Sequence, residues 1–143
     1  MAGDIWEQAV ETYLAMDRGL FLNPQYLIGT PNVWEANPDF MALAFPEKTA
    51  WMVEVTKRPR VSLFNKIRDF EKEYFPRIRH QLQGMDVIHD GVAAEWKIGL
   101  WIFAPKMETD KLKSKAQTCG VQNYRFTSLE ETLEPSAWDT RFR

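Results

Sequence analysis

The feature that most constrains the fold is an apolar run at residues 93–104, with the sequence AAEWKIGLWIFA. The run begins with alternating residues and becomes continuously apolar, which is the pattern of a central β-strand covered on both faces. A strand of this kind needs helices on both sides of its sheet. The chain must therefore supply amphipathic helices around it.

Helical spacing is found in two stretches before this run. In residues 5–18 and 62–82, apolar side chains recur every three or four residues, so both stretches are predicted helices. Pro76 lies inside the second helix and should kink or split it near Tyr74. Residues 107–118 are polar and compatible with a further helix, and the capping pair Ser128 and Glu131 indicates a short C-terminal one.

The remaining strands are indicated by short β-like runs between turn residues. We expect a strand near residues 26–34, a hairpin formed by 39–45 and 49–56, and a last strand at 122–127. With the helices, the order is αβββαβ followed by a helix and a strand. This order predicts an α/β fold with a mixed sheet flanked by helices. The 143 residues fit a single domain spanning residues 1–143.

Composition excludes several classes of protein. Apolar residues make up 45% and charged residues 27%, as in globular proteins. A single cysteine, Cys119, cannot form an internal disulfide, and two histidines are too few to build a Cys/His metal cluster with it. No apolar run approaches the ~20 residues that span a bilayer, and the N-terminus lacks signal-peptide character. We expect a cytoplasmic protein that does not associate with membranes.

The net charge of −2 conceals a basic segment. Between Lys57 and His80 there are eight Lys and Arg residues against three acids. This balance is compatible with a polyanionic partner, and equally with a solvated helix face of mixed charge.

Two acids stand out because of their positions in the predicted hairpin. Asp39 opens its first strand, and Glu54 lies near the end of the second, where burial of a carboxylate is costly unless something pairs with it. The hairpin places Asp39 opposite Glu54 or Val55, depending on the loop register. Two close carboxylates repel each other unless a cation lies between them, and Mg²⁺ prefers such ligands. Taken singly, Asp39 also fits an ordinary turn residue, and Glu54 a surface salt bridge.

Together these residues resemble the PD-(D/E)XK nuclease superfamily, the restriction-endonuclease-like fold. Pro38-Asp39 matches its "PD" element, and Glu54 follows fifteen residues later across a hairpin. The stretch that begins in helix one also resembles the opening of small resolvase-like members, through Glu7, Val10, Tyr13, Leu14, Gly19, Leu22 and Asn23. The resemblance covers about residues 4–104.

The resemblance implies a set of site residues. Asp39, Glu54 and the Val55 carbonyl would bind Mg²⁺ or Mn²⁺, Lys57 would stabilise the transition state, and Glu7 would bind the metal or its water. Basic residues of the 57–80 segment would hold the DNA backbone; these are Arg58, Arg60, Lys66, Arg68 and Lys72.

The motif lysine is displaced in this chain. Thr56 occupies its position and Lys57 comes one residue late, so strict alternation directs Lys57 to the other sheet face. A β-bulge could re-aim Lys57. Alternatively Lys66 or Lys72 takes its place, or the catalytic machinery has decayed.

Three functional hypotheses remain open. The first is a metal-dependent endo- or exodeoxyribonuclease, a hydrolase acting on DNA, for which a homodimer would allow both strands to be cut. The second is a catalytically inactive nuclease-fold domain that binds nucleic acid or protein, for example as a phage or mobile-element accessory factor. The third is a structural module whose exposed aromatic residues bind a protein partner.

Overall fold

The computed structural model describes residues 5–16, 38–83 and 95–133 and the backbone of residues 20–24. In chain order, the elements are α1 (Ile5–Ala15), β1 (Leu20–Pro24), β2 (Phe40–Ala44), β3 (Thr49–Val55), α2 (Val61–Asp69), a π-helical turn (Phe70–Tyr74), α3 (Phe75–Gln83), β4 (Lys97–Ala104), α4 (Lys106–Thr118), β5 (Tyr124–Ser128) and a 3-10 helix (Glu130–Leu133). The predicted order of helices and strands is confirmed.

The strands form one mixed sheet in the order β1-β2-β3-β4-β5. The first three strands are antiparallel neighbours, and β4 and β5 run parallel to β3. The apolar run that predicted a central strand is β4, which is buried along its length except at its first residue. The α/β fold with a mixed sheet flanked by helices is therefore confirmed. No helix in the described part of the chain is long and apolar enough to cross a bilayer.

β1 covers Leu20–Pro24, where the sequence predicts no strand because Asn23-Pro24 favours a turn. The strand predicted near residues 26–34 lies outside the described residues. In the structure β1 is an edge strand, and an edge strand tolerates proline.

The sheet separates two apolar clusters, one on each face. We call the first the α2 face: Met52 and Ile102 of the sheet pack there against α2, α3 and α4. We call the second the α1 face: Val53 and Trp101 pack there against Val10 and other residues of α1. Because side chains alternate along a strand, consecutive residues of β3 and β4 belong to opposite clusters.

Gly99 has a packing role on the α1 face. A Cβ atom at this position would lie 2.5 Å from the Trp51 ring. Only a residue without a side chain lets this indole cover β4 so closely. The glycine in an otherwise bulky strand is explained by this approach.

The long second helix is divided, as Pro76 predicted. A π-helical turn at Phe70–Tyr74 separates α2 from α3. Proline lacks the N–H that would continue the helical ladder, and a wider turn relieves this conflict. The turn keeps Phe70 and Tyr74 in the same buried stripe as Ile67 and Ile78.

Candidate active site

The β2–β3 hairpin places the two predicted carboxylates side by side. Phe40 pairs with Val53, so the next position along the ladder sets Asp39 opposite Glu54. The Asp39 N–H lies 3.4 Å from Glu54 Oε2 and donates to it. The Val55 N–H donates to Asp39 Oδ2 at 2.8 Å. Of the two registers that the sequence left open, the structure has the one that joins Asp39 to Glu54.

The register depends on the turn that connects the strands. Residues 45–48 form a tight turn in which the Lys48 N–H donates to the Phe45 carbonyl at 3.2 Å. Lys48 has a positive φ of 50°. This left-handed conformation closes the turn and fixes the pairing of every residue behind it.

Glu54 is directed toward the α2 face and is buried there. It shares its face with Ala50 and Met52, and it is only 4% exposed. Lys66 of α2 contacts it, with Nζ 2.5 Å from Glu54 Oε1. The burial of Leu63 and Ile67 fixes the rotation of α2, and this rotation turns the intervening Lys66 toward the sheet.

Burial dominates the protonation of this site. The pKa of Glu54 is raised to about 8, mainly because of burial; Lys66 opposes this effect and the neighbouring Asp39 adds to it. Burial also acts to lower the pKa of Lys66, but the contact with Glu54 outweighs it, so the pKa of Lys66 lies above its ordinary value. Burial raises the pKa of Tyr74, which also senses the charge of Lys66. The Lys66 ammonium therefore does not fully offset the effect of burial on the Glu54 carboxylate.

A pocket of about 610 Å³ opens over this cluster. Its lining residues are Asp39, Glu54, Val55, Thr56, Lys57, Arg58, Arg60, Ser62, Leu63 and Lys66. The pocket thus combines two carboxylates with four basic side chains. Seven of the predicted site residues, namely Asp39, Glu54, Val55, Lys57, Arg58, Arg60 and Lys66, meet at this one place.

Lys57 reaches the edge of the pocket without a β-bulge. The β3–β4 ladder is regular up to the pair Val55 and Phe103, and the Thr56 N–H still donates to the Phe103 carbonyl at 2.9 Å. The chain then leaves the sheet, and Thr56 Oγ1 donates to the Arg58 carbonyl at 2.7 Å. Lys57 is exposed on this turn.

Three other predicted residues lie elsewhere. Glu7 is buried on α1, which packs against the α1 face, and among the described residues it does not line the pocket. Arg68 is exposed and forms two hydrogen bonds with the Asp69 carboxylate, at 2.8 and 2.9 Å. Lys72 is exposed on the π-helical turn. The roles predicted for Glu7, Arg68 and Lys72 stay predictions.

Sequence reasoning assigned Lys66 to the DNA surface and gave it only an alternative role beside the carboxylates. The available signal was its position between Leu63 and Ile67, next to the buried stripe rather than opposite it. Tyr74, which the sequence analysis names only as the position of the kink, is buried and lies close enough to Lys66 for its pKa to be affected by that charge.

Comparison with protein-family models, curated proteins and solved structures finds no match for this chain. Within residues 5–16, 38–83 and 95–133, no three Asp, Glu, His or Cys side chains form a group able to hold a metal ion. The pocket offers two carboxylates, and Mg²⁺ usually takes one or two, with water and substrate phosphates completing its shell.

Proposed function

We propose that this chain is a metal-dependent nuclease of the PD-(D/E)XK type, which hydrolyses phosphodiester bonds in DNA. The observation that carries the proposal is the pairing of Asp39 with Glu54 in a pocket rimmed by basic side chains. Burial of the Glu54 carboxylate is costly for folding, and its position beside Asp39 at an open pocket favours a functional role.

The donor set fits a hard divalent cation such as Mg²⁺ or Mn²⁺. The pKa of Glu54 is raised because burial and Asp39 outweigh the Lys66 ammonium beside it, and a divalent ion would supply further positive charge. Asp39 and Glu54 would hold the ion through carboxylate oxygens. The Val55 N–H faces Asp39, and in an extended strand the carbonyl of the same residue faces the same side, where it can serve as a third oxygen ligand. When bound, the ion would polarise the scissile phosphate and lower the pKa of the attacking water.

The remaining pocket residues suit a phosphodiester substrate. The lysines that line the pocket, Lys57 and Lys66, can stabilise the negative charge that develops on the phosphate. Arg58 and Arg60 stand at the rim, and among the described residues no acid forms an ion pair with either of them. They are therefore available to bind the phosphates on either side of the cleaved bond.

The test is cleavage of a labelled DNA duplex, nicked duplex and single strand by the purified protein with Mg²⁺. Asp39→Asn and Glu54→Gln should each abolish Mg²⁺-dependent cleavage, because each substitution removes one carboxylate from the proposed ligand set. Both variants should keep the wild-type circular dichroism spectrum. Glu73→Gln removes an exposed acid of the π-helical turn and should leave cleavage unchanged.

Full activity in either carboxylate variant would contradict the assignment of the site. Absence of cleavage by the wild-type protein on every substrate, together with retained DNA binding, would instead favour an inactive nuclease-fold module that binds nucleic acid.

A further inference from the structure

Lys66 contacts the carboxylate of Glu54, which the proposed function assigns to a metal ion. Its Nζ lies 2.5 Å from Glu54 Oε1, and its side chain is 21% exposed, so the ammonium sits at the inner wall of the pocket while remaining open to it. Glu54 Oε2 accepts the Asp39 N–H. Both oxygens of Glu54 therefore have donors within the protein itself.

The position of Lys66 also answers the question raised by the displaced motif lysine. Thr56 stands where the motif has lysine, and Lys57 lies on an exposed turn after the regular end of β3. Lys66 approaches the same carboxylate from α2 instead. Its flexible side chain of four methylene groups allows the ammonium to move by several ångströms while α2 stays in place.

We propose, on the basis of the nuclease function above, that Lys66 is the catalytic lysine of this site and that it holds the place of the metal ion until the ion binds. In the metal-free protein its ammonium is the hydrogen-bond donor to Glu54 Oε1. A divalent cation held by Asp39 and Glu54 would replace the ammonium at this oxygen and repel it. Lys66 then turns outward to the substrate phosphate, to which it donates hydrogen bonds.

The exchange transfers no electron, and a proton that Glu54 carries in the metal-free protein passes to solvent when the ion binds. Lys66 is an ammonium in both positions and changes only its partner, from a carboxylate oxygen to a phosphate oxygen. The exchange explains how two carboxylates can be kept together before a metal ion arrives, since a buried carboxylate without a cation is costly.

Lysine labelling of the wild-type protein tests the exchange without any substitution. The rate of reductive methylation is measured by mass spectrometry, with and without Ca²⁺, which binds at oxygen sites like Mg²⁺ but is expected not to support cleavage. We expect Ca²⁺ to accelerate methylation of Lys66 several-fold and to leave Lys48, an exposed partner of Glu95, unchanged. Lys57 lines the same pocket and reports any general effect of the bound charge.

Two results would overturn the exchange. One is a Lys66 rate that Ca²⁺ leaves unchanged or lowers, when calorimetry shows that Ca²⁺ binds. The other is an increase for Lys57 that equals the increase for Lys66. If calorimetry shows no Ca²⁺ binding at all, the metal-dependent function itself fails, and this outcome is distinct from failure of the exchange.

Substitution tests the catalytic role. Lys66→Met should lower cleavage by at least about a hundredfold, which corresponds to the loss of a charge-assisted hydrogen bond of roughly 3 kcal/mol in the transition state. Lys66→Arg should restore part of the activity because it keeps the charge, and Lys113→Met, at an exposed position of α4, should have no effect. If Lys57→Met abolishes cleavage while Lys66→Met does not, the role belongs to Lys57 and the proposal is wrong.

Discussion

The two faces of the sheet are built from the same strands, but one is packed with aromatic side chains and the other includes a buried carboxylate. On the α1 face, Trp101 stacks on Phe103 with ring centroids 5.1 Å apart, and Trp51 packs edge-on against Trp101 at 5.6 Å. The guanidinium of Arg125 lies over both indoles, at 4.6 and 4.7 Å from their ring centroids. On the α2 face, the apolar cluster ends at Glu54, a buried carboxylate with Lys66 beside it.

This difference indicates that the α1 face mainly stabilises the fold, whereas the α2 face carries the proposed functional site. Aromatic side chains bury large apolar areas and gain further from edge and stacked contacts, so the α1 face stabilises the fold. A buried ion pair contributes little net stability, because desolvation offsets the attraction between its charges. Among the described residues, no apolar contact of the α2 face requires a carboxylate at position 54, and we attribute its presence to the proposed function of the pocket.

The largest expected effect on stability comes from breaking the α1 face. Trp101→Ala should lower the free energy of unfolding by about 3–5 kcal/mol, since it removes a fully buried indole and leaves a cavity. It also removes the donor of the Trp101 Nε1–Thr127 Oγ1 hydrogen bond, which is 2.9 Å long. Urea unfolding monitored by circular dichroism measures the loss. Phe45→Ala, at a 41% exposed position, is the control and should cost less than about 1 kcal/mol.

A loss as small for Trp101→Ala as for Phe45→Ala would show that the aromatic cluster does not stabilise the protein in this way. The two faces would then not differ as proposed.

Much of this architecture follows from periodicity, which depends on local sequence. The α1 and β4 segments, the hairpin strands and the division of the long helix were all predicted from spacing and from Pro76. The position of β1 was not, because a proline is interpreted as a turn unless it is known that the strand lies at an edge. Edge position is a property of the whole sheet and cannot be deduced from Asn23-Pro24.

The site was only partly predictable for a similar reason. Asp39 and Glu54 stand out because of their positions in a hairpin, but their register depends on the left-handed conformation of Lys48, which is not a glycine. The contact between Lys66 and Glu54 depends on how α2 is rotated against the sheet. That rotation is fixed by the packing of Leu63 and Ile67, so it belongs to tertiary structure.

A second prediction tests how much the buried Glu54 carboxylate on the α2 face lowers the free energy of unfolding. The pKa of Glu54 is raised from 4.5 to about 8 in the folded protein, so between these values the folded state binds more protons than the unfolded state. The free energy of unfolding of the metal-free protein should therefore fall as pH rises from about 4.5 to 8. The scale is about 1.4 kcal/mol for each unit of pKa difference.

Glu54→Gln cannot ionise, so its stability should lack this decline and should equal or exceed that of the wild type at pH 8. The loss of the charged partner of Lys66 reduces the gain. Urea unfolding at a series of pH values with a chelator present measures both curves, and Glu73→Gln is the exposed control. Parallel curves for wild type and Glu54→Gln would show that burial of this carboxylate does not cost stability.

The smallest expected effect distinguishes the rim of the pocket from the exposed side of α2 and α3. Arg58 and Arg60 line the pocket and form no ion pair with a described acid, whereas Arg68 is already neutralised by Asp69, and Arg77 pairs with Glu73 at 3.6 Å. A cation that is already paired has less charge to offer a phosphate, so DNA should bind along the rim. The comparison is made by measuring DNA affinity against salt concentration, with Ca²⁺ in place of Mg²⁺.

Arg58→Gln and Arg60→Gln should each reduce the slope of log affinity against log salt by about 0.9 for duplex DNA, because each removes one phosphate contact. Arg77→Gln should leave the slope unchanged, and Arg68→Gln should change it by less than the rim variants. Equal reductions for Arg58→Gln and Arg77→Gln would mean that the DNA lies across the helices and that the rim has no special part in binding. A wild-type affinity independent of salt would favour a protein partner over DNA, and the basic rim would then need a different explanation.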